Sequence, residues 1–306
     1  MIHQEHLWGI DLGGTKIEGL ICHRHGAHDP IERQRLDTES ASGYDHIIAR
    51  IVELVDLLSK KSGLPIPTRI GVAAPGTTDP HTGLLKNSNT VCLNGRPLQA
   101  DLQDALGRPV IIENDANCFA LAEATLGAAV EHPSVFGVIL GTGVGGGLVI
   151  HKKILPGRHG IAGEWGHNVL DENGASCYCG KKGCVETVLS GPSLEKFYAA
   201  ASGQKLPLPD IASRVATDPA AAATIDRLTA QFARALAVVI NILDPHAIVI
   251  GGGVSQIDAL YTPQTRAKIA ATVFHDSFTT PILKPKLGAS AGVFGAALLT
   301  HELTTC

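Results

Sequence analysis

His167, Cys177, Cys179 and Cys184 stand in the pattern His-x₉-Cys-x-Cys-x₄-Cys, with Glu164 just ahead of the histidine and Glu186 just beyond the last cysteine. Three thiols and an imidazole at this spacing suit a closed tetrahedral Zn²⁺ site of the Cys₃His type. Gly180 and Gly183 lie inside the loop and let it fold tightly around an ion. The competing assignment is a set of buried or disulfide-bonded cysteines; ligand count, ligand type and spacing favour zinc. Because two glutamates flank the ligands, the metal would also shape a reaction centre.

Two glycine-rich turns offer a second chemistry. They are Asp11-Leu12-Gly13-Gly14-Thr15-Lys16 and Gly141-Thr142-Gly143-Val144-Gly145-Gly146. Backbone N–H groups in such turns can converge on phosphate oxygens, since no Cβ blocks the approach. In the first turn, a carboxylate at Asp11 can hold Mg²⁺ through water while Thr15 and Lys16 face phosphate. An ordinary glycine hairpin would account for either turn alone. The pair, together with Gly251-Gly252-Gly253, points to a nucleotide. The second turn matches G-x-G-x-x-G literally, but a dinucleotide fold needs a helix to follow the glycines. Here Gly147-Leu148-Val149-Ile150 follows, which reads as a strand, so a dehydrogenase is excluded. No Walker A or H-E-x-x-H pattern is present.

Glu113-Asn114-Asp115-Ala116-Asn117 lies between an apolar strand and a helix. An aspartate at the C-terminal end of a strand sits where open α/β sheets place their ligands. Asn and Asp are also good helix N-caps, a competing role for Asn114 or Asp115.

The elements that must position these residues follow from periodicity. Leu7–Ile21 and Val135–Ile150 each read as strand, glycine turn, strand, and the repetition suggests a duplicated fold with a cleft between two similar halves. Ile47, Ile51, Leu54, Val55 and Leu58 mark a helix over 44–60, ended by Gly63-Leu64-Pro65. Strands are expected over 69–74, 110–113 and 247–250, and helices over 116–126, 191–201, 220–243 and 292–303. Leu228, Phe232, Ala235, Leu236 and Val239 form a core stripe on the longest helix. Strands alternating with helices make the chain α/β. The expected division is an N-terminal lobe, 1–115, completed by the helix 290–306, and a larger lobe, 116–289, carrying the zinc loop.

Composition narrows the function classes. At 306 residues, 44% hydrophobic and 18% charged, the chain can bury two ordinary cores. A net charge of −4 gives no basic field for nucleic acid. The first residues lack the layout of a signal peptide, His3 and His6 are expected in a mobile terminus, and the apolar run Val135–Ile150 is too short and glycine-rich to span a membrane. Besides the three candidate ligands, Cys22, Cys92, Cys118 and Cys306 are scattered without framework spacing, which fits a reducing cytoplasm.

Taken in order, these motifs, with Cys177-Tyr178-Cys179-Gly180, Gly183-Cys184-Val185-Glu186 and Asp244-Pro245, resemble the ROK family of bacterial sugar kinases, within the actin-like and hexokinase-like ATPase superfamily. The resemblance runs from Trp8 to about Leu299. It implies that Asp115 accepts the proton of the attacking sugar hydroxyl, while Asn89, Asn114, Glu164, His167 and Glu186 bind the sugar. Asp11, Gly13, Gly14, Thr15, Lys16, Thr142 and Gly143 would serve the phosphates and Mg²⁺ of ATP, and Gly252 the adenosine. Many relatives carry an aromatic residue where this chain has Cys92. Glu164-Trp165-Gly166-His167-Asn168, Lys86-Asn87-Ser88-Asn89 with Leu93-Asn94-Gly95, and Asn241-Ile242-Leu243-Asp244-Pro245 are most similar to fructokinases of the manno(fructo)kinase type, which implies fructose 6-phosphate as product. Glucokinase, mannokinase and N-acetylglucosamine kinase share the catalytic motifs. The resemblance also implies a homodimer with ATP and a hexose as its partners, and neither nucleic acid nor membrane. Some relatives are repressors with a preceding winged-helix domain; the first strand here begins near Leu7, which leaves a non-catalytic sugar sensor as the alternative of a different class.

Overall fold

The computed structural model describes residues 5–24 and 29–301. In chain order its regular elements are β1 (His6–Leu12), β2 (Lys16–His23), β3 (Glu32–Asp37), α1 (Tyr44–Ser62), β4 (Ile70–Ala74), β5 (Thr77–Thr78), β6 (Leu85–Lys86), α2 (Leu98–Leu106), β7 (Val110–Asn114) and α3 (Asp115–Thr125). There follow β8 (Ser134–Leu140), β9 (Val144–Ile150), β10 (Lys153–Ile154), α4 (Val185–Leu189), α5 (Gly191–Ser202), α6 (Leu208–Ser213), α7 (Pro219–Leu243), β11 (Ala247–Gly251), α8 (Pro263–Ala270), β12 (Ile282–Leu283) and α9 (Ala291–Leu298).

Both glycine motifs are hairpin turns within two sheets of parallel design. The first sheet runs β3-β2-β1-β4-β7 and the second β10-β9-β8-β11-β12. In the first, β1 pairs antiparallel with β2 and parallel with β4, which in turn pairs parallel with β7. In the second, β11 pairs parallel with β8 and with β12. The same strand order twice is the duplication that the two hairpins announced.

Two compact units result. One comprises Met1–Val130, Gly147–Ala162 and Leu287–Cys306; the other comprises Glu131–Gly146 and Gly163–Lys286. The sequence expectation divided the chain after 115, whereas the contacts keep α3 in the first unit. Helix α3 packs along α9, and the buried Glu123 on α3 accepts Ala128 N–H at 2.8 Å and Leu287 N–H at 2.9 Å, tying the helix to the segment that leads into α9. Close helix packing adds to this, since a Cβ on Gly295 of α9 would lie 1.9 Å from the Cys118 carbonyl oxygen.

Each unit has its own core. In the first, the α1 stripe Ile47, Ile51, Leu54, Val55 and Leu58 is buried against Ile10, Ile17, Ile21 and Val72 of the sheet. In the second, Leu228, Phe232, Ala235, Leu236 and Val239 of α7 pack with Phe136, Val138, Leu140, Ile248 and Ile250. Each such large apolar side chain contributes about 1.5–3 kcal/mol on burial. Asp218 caps α7 by accepting Ala220 N–H at 2.8 Å, and Asp244 ends it in the left-handed region at φ 41°.

The C-terminal helix ends at Leu298, short of the expected 303, because a hydrogen-bonded turn through Thr300 and His301 replaces it. His6, expected in a mobile terminus, is the first residue of β1, its ring 5.5 Å from that of His23. His3 and Cys306 lie outside the described residues. No described helix is long and apolar enough to cross a membrane. The described cysteines, Cys22, Cys92, Cys118, Cys177, Cys179 and Cys184, are free thiols.

Candidate active site and metal centre

In the first unit, the turn between β1 and β2 is closed by Gly13 N–H donating to Lys16 O at 2.9 Å. Thr38, fully buried after β3, braces it: its hydroxyl donates to Gly13 O at 2.7 Å and its N–H to Thr15 O at 2.8 Å. Thr15 and Lys16 are left exposed at the tip, free to meet an anion. Sequence reasoning missed Thr38, because nothing in its neighbourhood marks a residue whose partners lie in an earlier turn.

Asp11 lies beneath this turn. Burial, then the negative charges of Asp115 and Glu18, push its carboxyl up to about 7. The first turn of α9 comes close to it; a Cβ on Gly292 would lie 2.7 Å from Asp11 Oδ2. A buried carboxylate oxygen beside a second negative charge is the donor type that a hard divalent cation takes.

Asp115 begins α3, directly after β7. Its neighbour Asn114 is the N-cap, accepting Ala116 N–H at 2.9 Å and Asn117 N–H at 3.3 Å, while its amide nitrogen donates to Gly76 O at 3.0 Å. Of the two roles weighed, the cap is the one seen for Asn114, with its oxygen committed to the helix. Glu113 reinforces the corner by accepting Asn114 N–H at 2.8 Å and Asn117 Nδ2–H at 3.0 Å. Asn89 is exposed, on a turn that Asn94 holds from both sides, accepting Ser88 N–H at 2.8 Å and donating to Ser88 O at 2.9 Å. Cys92 is half-buried, its thiol 3.9 Å from Ser40 O.

The second unit brings the other candidates together. Trp165 anchors a short 3₁₀ turn, Trp165–His167, by donating its indole N–H to Gly145 O at 2.8 Å and meeting Phe136 edge-on at 6.0 Å. Glu164 and His167 consequently share one side of the turn, with Glu164 Oε2 4.0 Å from His167 Nε2. Burial pushes the Glu164 carboxyl up, opposed by His167 and reinforced by Glu186. The other imidazole nitrogen, Nδ1, is 3.6 Å from Cys177 Sγ, and Cys179 Sγ is 3.6 Å from Cys184 Sγ. Ligand atoms of His167, Cys177, Cys179 and Cys184 all lie within 4.8 Å of one another. A tetrahedral zinc with ordinary bond lengths needs ligand separations of roughly 3.5–3.8 Å, so the donor set fits that ion. The sulfurs are too far apart for a disulfide.

Gly183 is required in the loop on two counts: φ is +64°, and a Cβ would lie 1.5 Å from Asp171 O. Tyr178, between two of the thiols, places its hydroxyl 3.1 Å from His167 Nε2, with the rings edge-to-face at 5.2 Å. Desolvation of the hydroxyl end, then the charges of Glu186 and Glu164, push its pKa up although the residue as a whole is exposed.

The glycine turn of this unit carries Thr142 exposed at its tip, with Gly141 N–H donating to Gly143 O at 2.9 Å and Gly191 N–H to Gly141 O at 2.8 Å. Gly252 lies against it at φ +83°, where a Cβ would be 2.3 Å from Leu140 O. Glu186 of α4 accepts the Val144 N–H at 3.0 Å, so the same carboxylate serves the thiol loop's end and the glycine turn.

The ROK family model matches residues 7–303. The chain belongs to the ROK family. Along 95% of its length this ROK chain is 36% identical to the N-acetyl-D-glucosamine kinase of Pasteurella multocida, covering 98% of that protein. Among solved structures, the ROK hexokinase of Thermus thermophilus is similar at TM-score 0.82 and 30% identity, over 96% of this chain and 97% of that one. A ROK glucokinase of Streptomyces griseus, solved with glucose and AMPPNP, matches at TM-score 0.81 and 28% identity, over 96% and 98% of the two chains. The actin-like, hexokinase-like fold expected from the sequence is therefore the fold of this ROK chain.

Proposed function

We propose that this chain is an ATP-dependent sugar kinase that phosphorylates the 6-hydroxyl of a hexose. The observation that carries the reading is the convergence of Glu164 and Glu186 with His167, itself one of the four candidate metal ligands, with Glu186 also bonded to the Thr142 glycine turn. Three fixed polar groups around one thiol loop suit a polyhydroxylated substrate, since each left unpaired by a wrong sugar costs about 1–3 kcal/mol.

In this reading Asp115 accepts the proton of the attacking hydroxyl. An ordinary carboxylate suffices, because phosphoryl transfer depends on in-line placement and charge neutralisation more than on covalent help. Gly13, Gly14, Thr15, Lys16, Thr142 and Gly143 hold the phosphates, Gly252 lies at the adenosine, and Asn89 and Asn114 contribute to the sugar. Mg²⁺ held at Asp11 would supply charge neutralisation at the phosphates. Zn²⁺ on His167, Cys177, Cys179 and Cys184 would fix the loop that carries Glu186 and the tautomer of His167. The free thiols suit a reducing cytoplasm.

N-acetyl-D-glucosamine is the leading substrate, supported by the curated kinases of that name at 36% identity over nearly the whole chain. Fructose remains the second reading, favoured by the motif segments that resemble fructokinases, though the comparisons give no support to that specificity. A ROK transcriptional regulator is also similar, at TM-score 0.82 and 25% identity over 96% of this chain and 77% of that one, which keeps a sensor as the alternative outcome. Coupled ADP release with Mg·ATP and N-acetyl-D-glucosamine, fructose, mannose or glucose decides the matter. The highest kcat/KM on N-acetyl-D-glucosamine is expected; preference for another sugar overturns the substrate, and binding without turnover overturns the kinase.

A further inference from the structure

The thiol loop carries one side chain that neither the metal site nor the catalytic roles require. Tyr178 stands between Cys177 and Cys179, is 66% exposed, and yet reaches back over the loop to His167. Its hydroxyl is 3.1 Å from Nε2, the imidazole nitrogen that faces away from the thiols. With Nδ1 given to a metal, the ring proton resides on Nε2, so that nitrogen donates and the phenol oxygen accepts. The phenol keeps its own proton to offer, and Glu164, whose Oε2 is 4.0 Å from the same Nε2, presents a carboxylate acceptor nearby. Acceptor from an imidazole and donor toward a carboxylate is the double role that a sugar hydroxyl would take at this spot.

We infer that Tyr178 is a placeholder for a sugar hydroxyl: its phenol occupies His167 Nε2 in the sugar-free chain and swings out when the sugar arrives. This rests on the sugar-kinase reading. The geometry makes the exchange inexpensive. The residue is 66% exposed, and its side chain gives up one hydrogen bond and one edge-to-face ring contact. Meanwhile the placeholder keeps the imidazole proton satisfied and the ring oriented before the sugar binds. Tyr178 is in this sense a positioning residue that competes with substrate, and it sets how strongly the sugar must bind to displace it.

The test compares zinc-loaded wild type with Tyr178→Phe, which keeps the ring and removes the hydroxyl. Calorimetry would measure the Kd for N-acetyl-D-glucosamine and for fructose, metal analysis would check zinc content, and nitrogen NMR would follow the His167 Nε2–H without sugar. The expected result is zinc retained, an Nε2–H that exchanges faster in the variant, and sugar Kd lowered about two- to tenfold, the worth of one net hydrogen bond. The kinetic counterpart is an effect on sugar KM rather than on kcat. A raised sugar Kd would mean that Tyr178 holds the sugar, and equal Kd with unchanged Nε2–H exchange would mean that the phenol does not occupy the imidazole. Either result overturns the placeholder alone. Neither protein binding any sugar would overturn the function on which it rests.

Discussion

The Glu186 carboxylate accepts the backbone N–H of Val144 at 3.0 Å, and this bond joins the end of the thiol loop to the glycine turn of the second unit. Contact there is close: a Cβ on Gly143 would lie 2.7 Å from Glu186 Oε2. A residue proposed to hold the sugar would therefore also fix a turn proposed to hold the nucleotide.

Replacing Glu186 separates those duties. Glu186→Ala leaves the Val144 N–H without its charged acceptor, so KM should rise for sugar and ATP together, by about tenfold or more. Glu186→Gln retains a neutral acceptor and should spare ATP KM while sugar KM still rises. Steady-state kinetics on both substrates checks this; an ATP KM unmoved by alanine would show that the bond does not shape the turn.

Asp115→Asn should keep sugar binding and reduce kcat by about 10²–10⁴-fold, the range for loss of a positioned proton acceptor. Calorimetry and rapid-mixing kinetics separate the two effects. Near-normal kcat would remove Asp115 from the role of base.

Metal analysis should find one zinc per chain, lost on chelation. Chelation should raise sugar KM more than ATP KM, because His167 and the loop bearing Glu186 depend on the ligands. Equal effects on both constants would indicate general unfolding. Gly183→Ala should lose zinc as well, since a Cβ there would meet Asp171 O at 1.5 Å.

Asp11 makes stability depend on pH. Burial, with Asp115 and Glu18, raises its carboxyl from the ordinary 3.8 to about 7. A carboxyl with a higher pKa folded than unfolded lends stability that is complete below pH ~4 and is lost as pH rises toward ~7, amounting to a few kcal/mol at most. Asp11→Asn removes this titration. Its melting temperature relative to wild type, by scanning calorimetry without nucleotide, should therefore gain more at pH 8 than at pH 5; an equal gain at both would show that Asp11 does not titrate in this range.

Much of the molecule was legible in the chain because its signals are local. The two glycine hairpins, the α1 and α7 stripes and the Cys₃His spacing each depend on residues close in sequence, and the structure forms each of them. The strand β3 and the helix α2 were not foreseen. β3 alternates exposed with half-buried positions as an edge strand, and α2 buries only Leu98 and Leu102, so neither shows a strong apolar rhythm.

By itself, the sequence determined the α/β class and which residues stand in the motifs, since residue type and short-range spacing settle those. Only the tertiary structure decided that Thr38 braces the first glycine turn, that Asn114 spends its oxygen on capping α3, that Tyr178 turns back onto His167, and that Glu186 reaches the second turn. Three of these bonds, those of Thr38, Tyr178 and Glu186, join groups on separate turns or elements, so each exists only once packing has fixed both partners. The Asn114 cap is local, but a cap and a ligand site call for the same residue types, and only the folded geometry shows which groups its side chain meets.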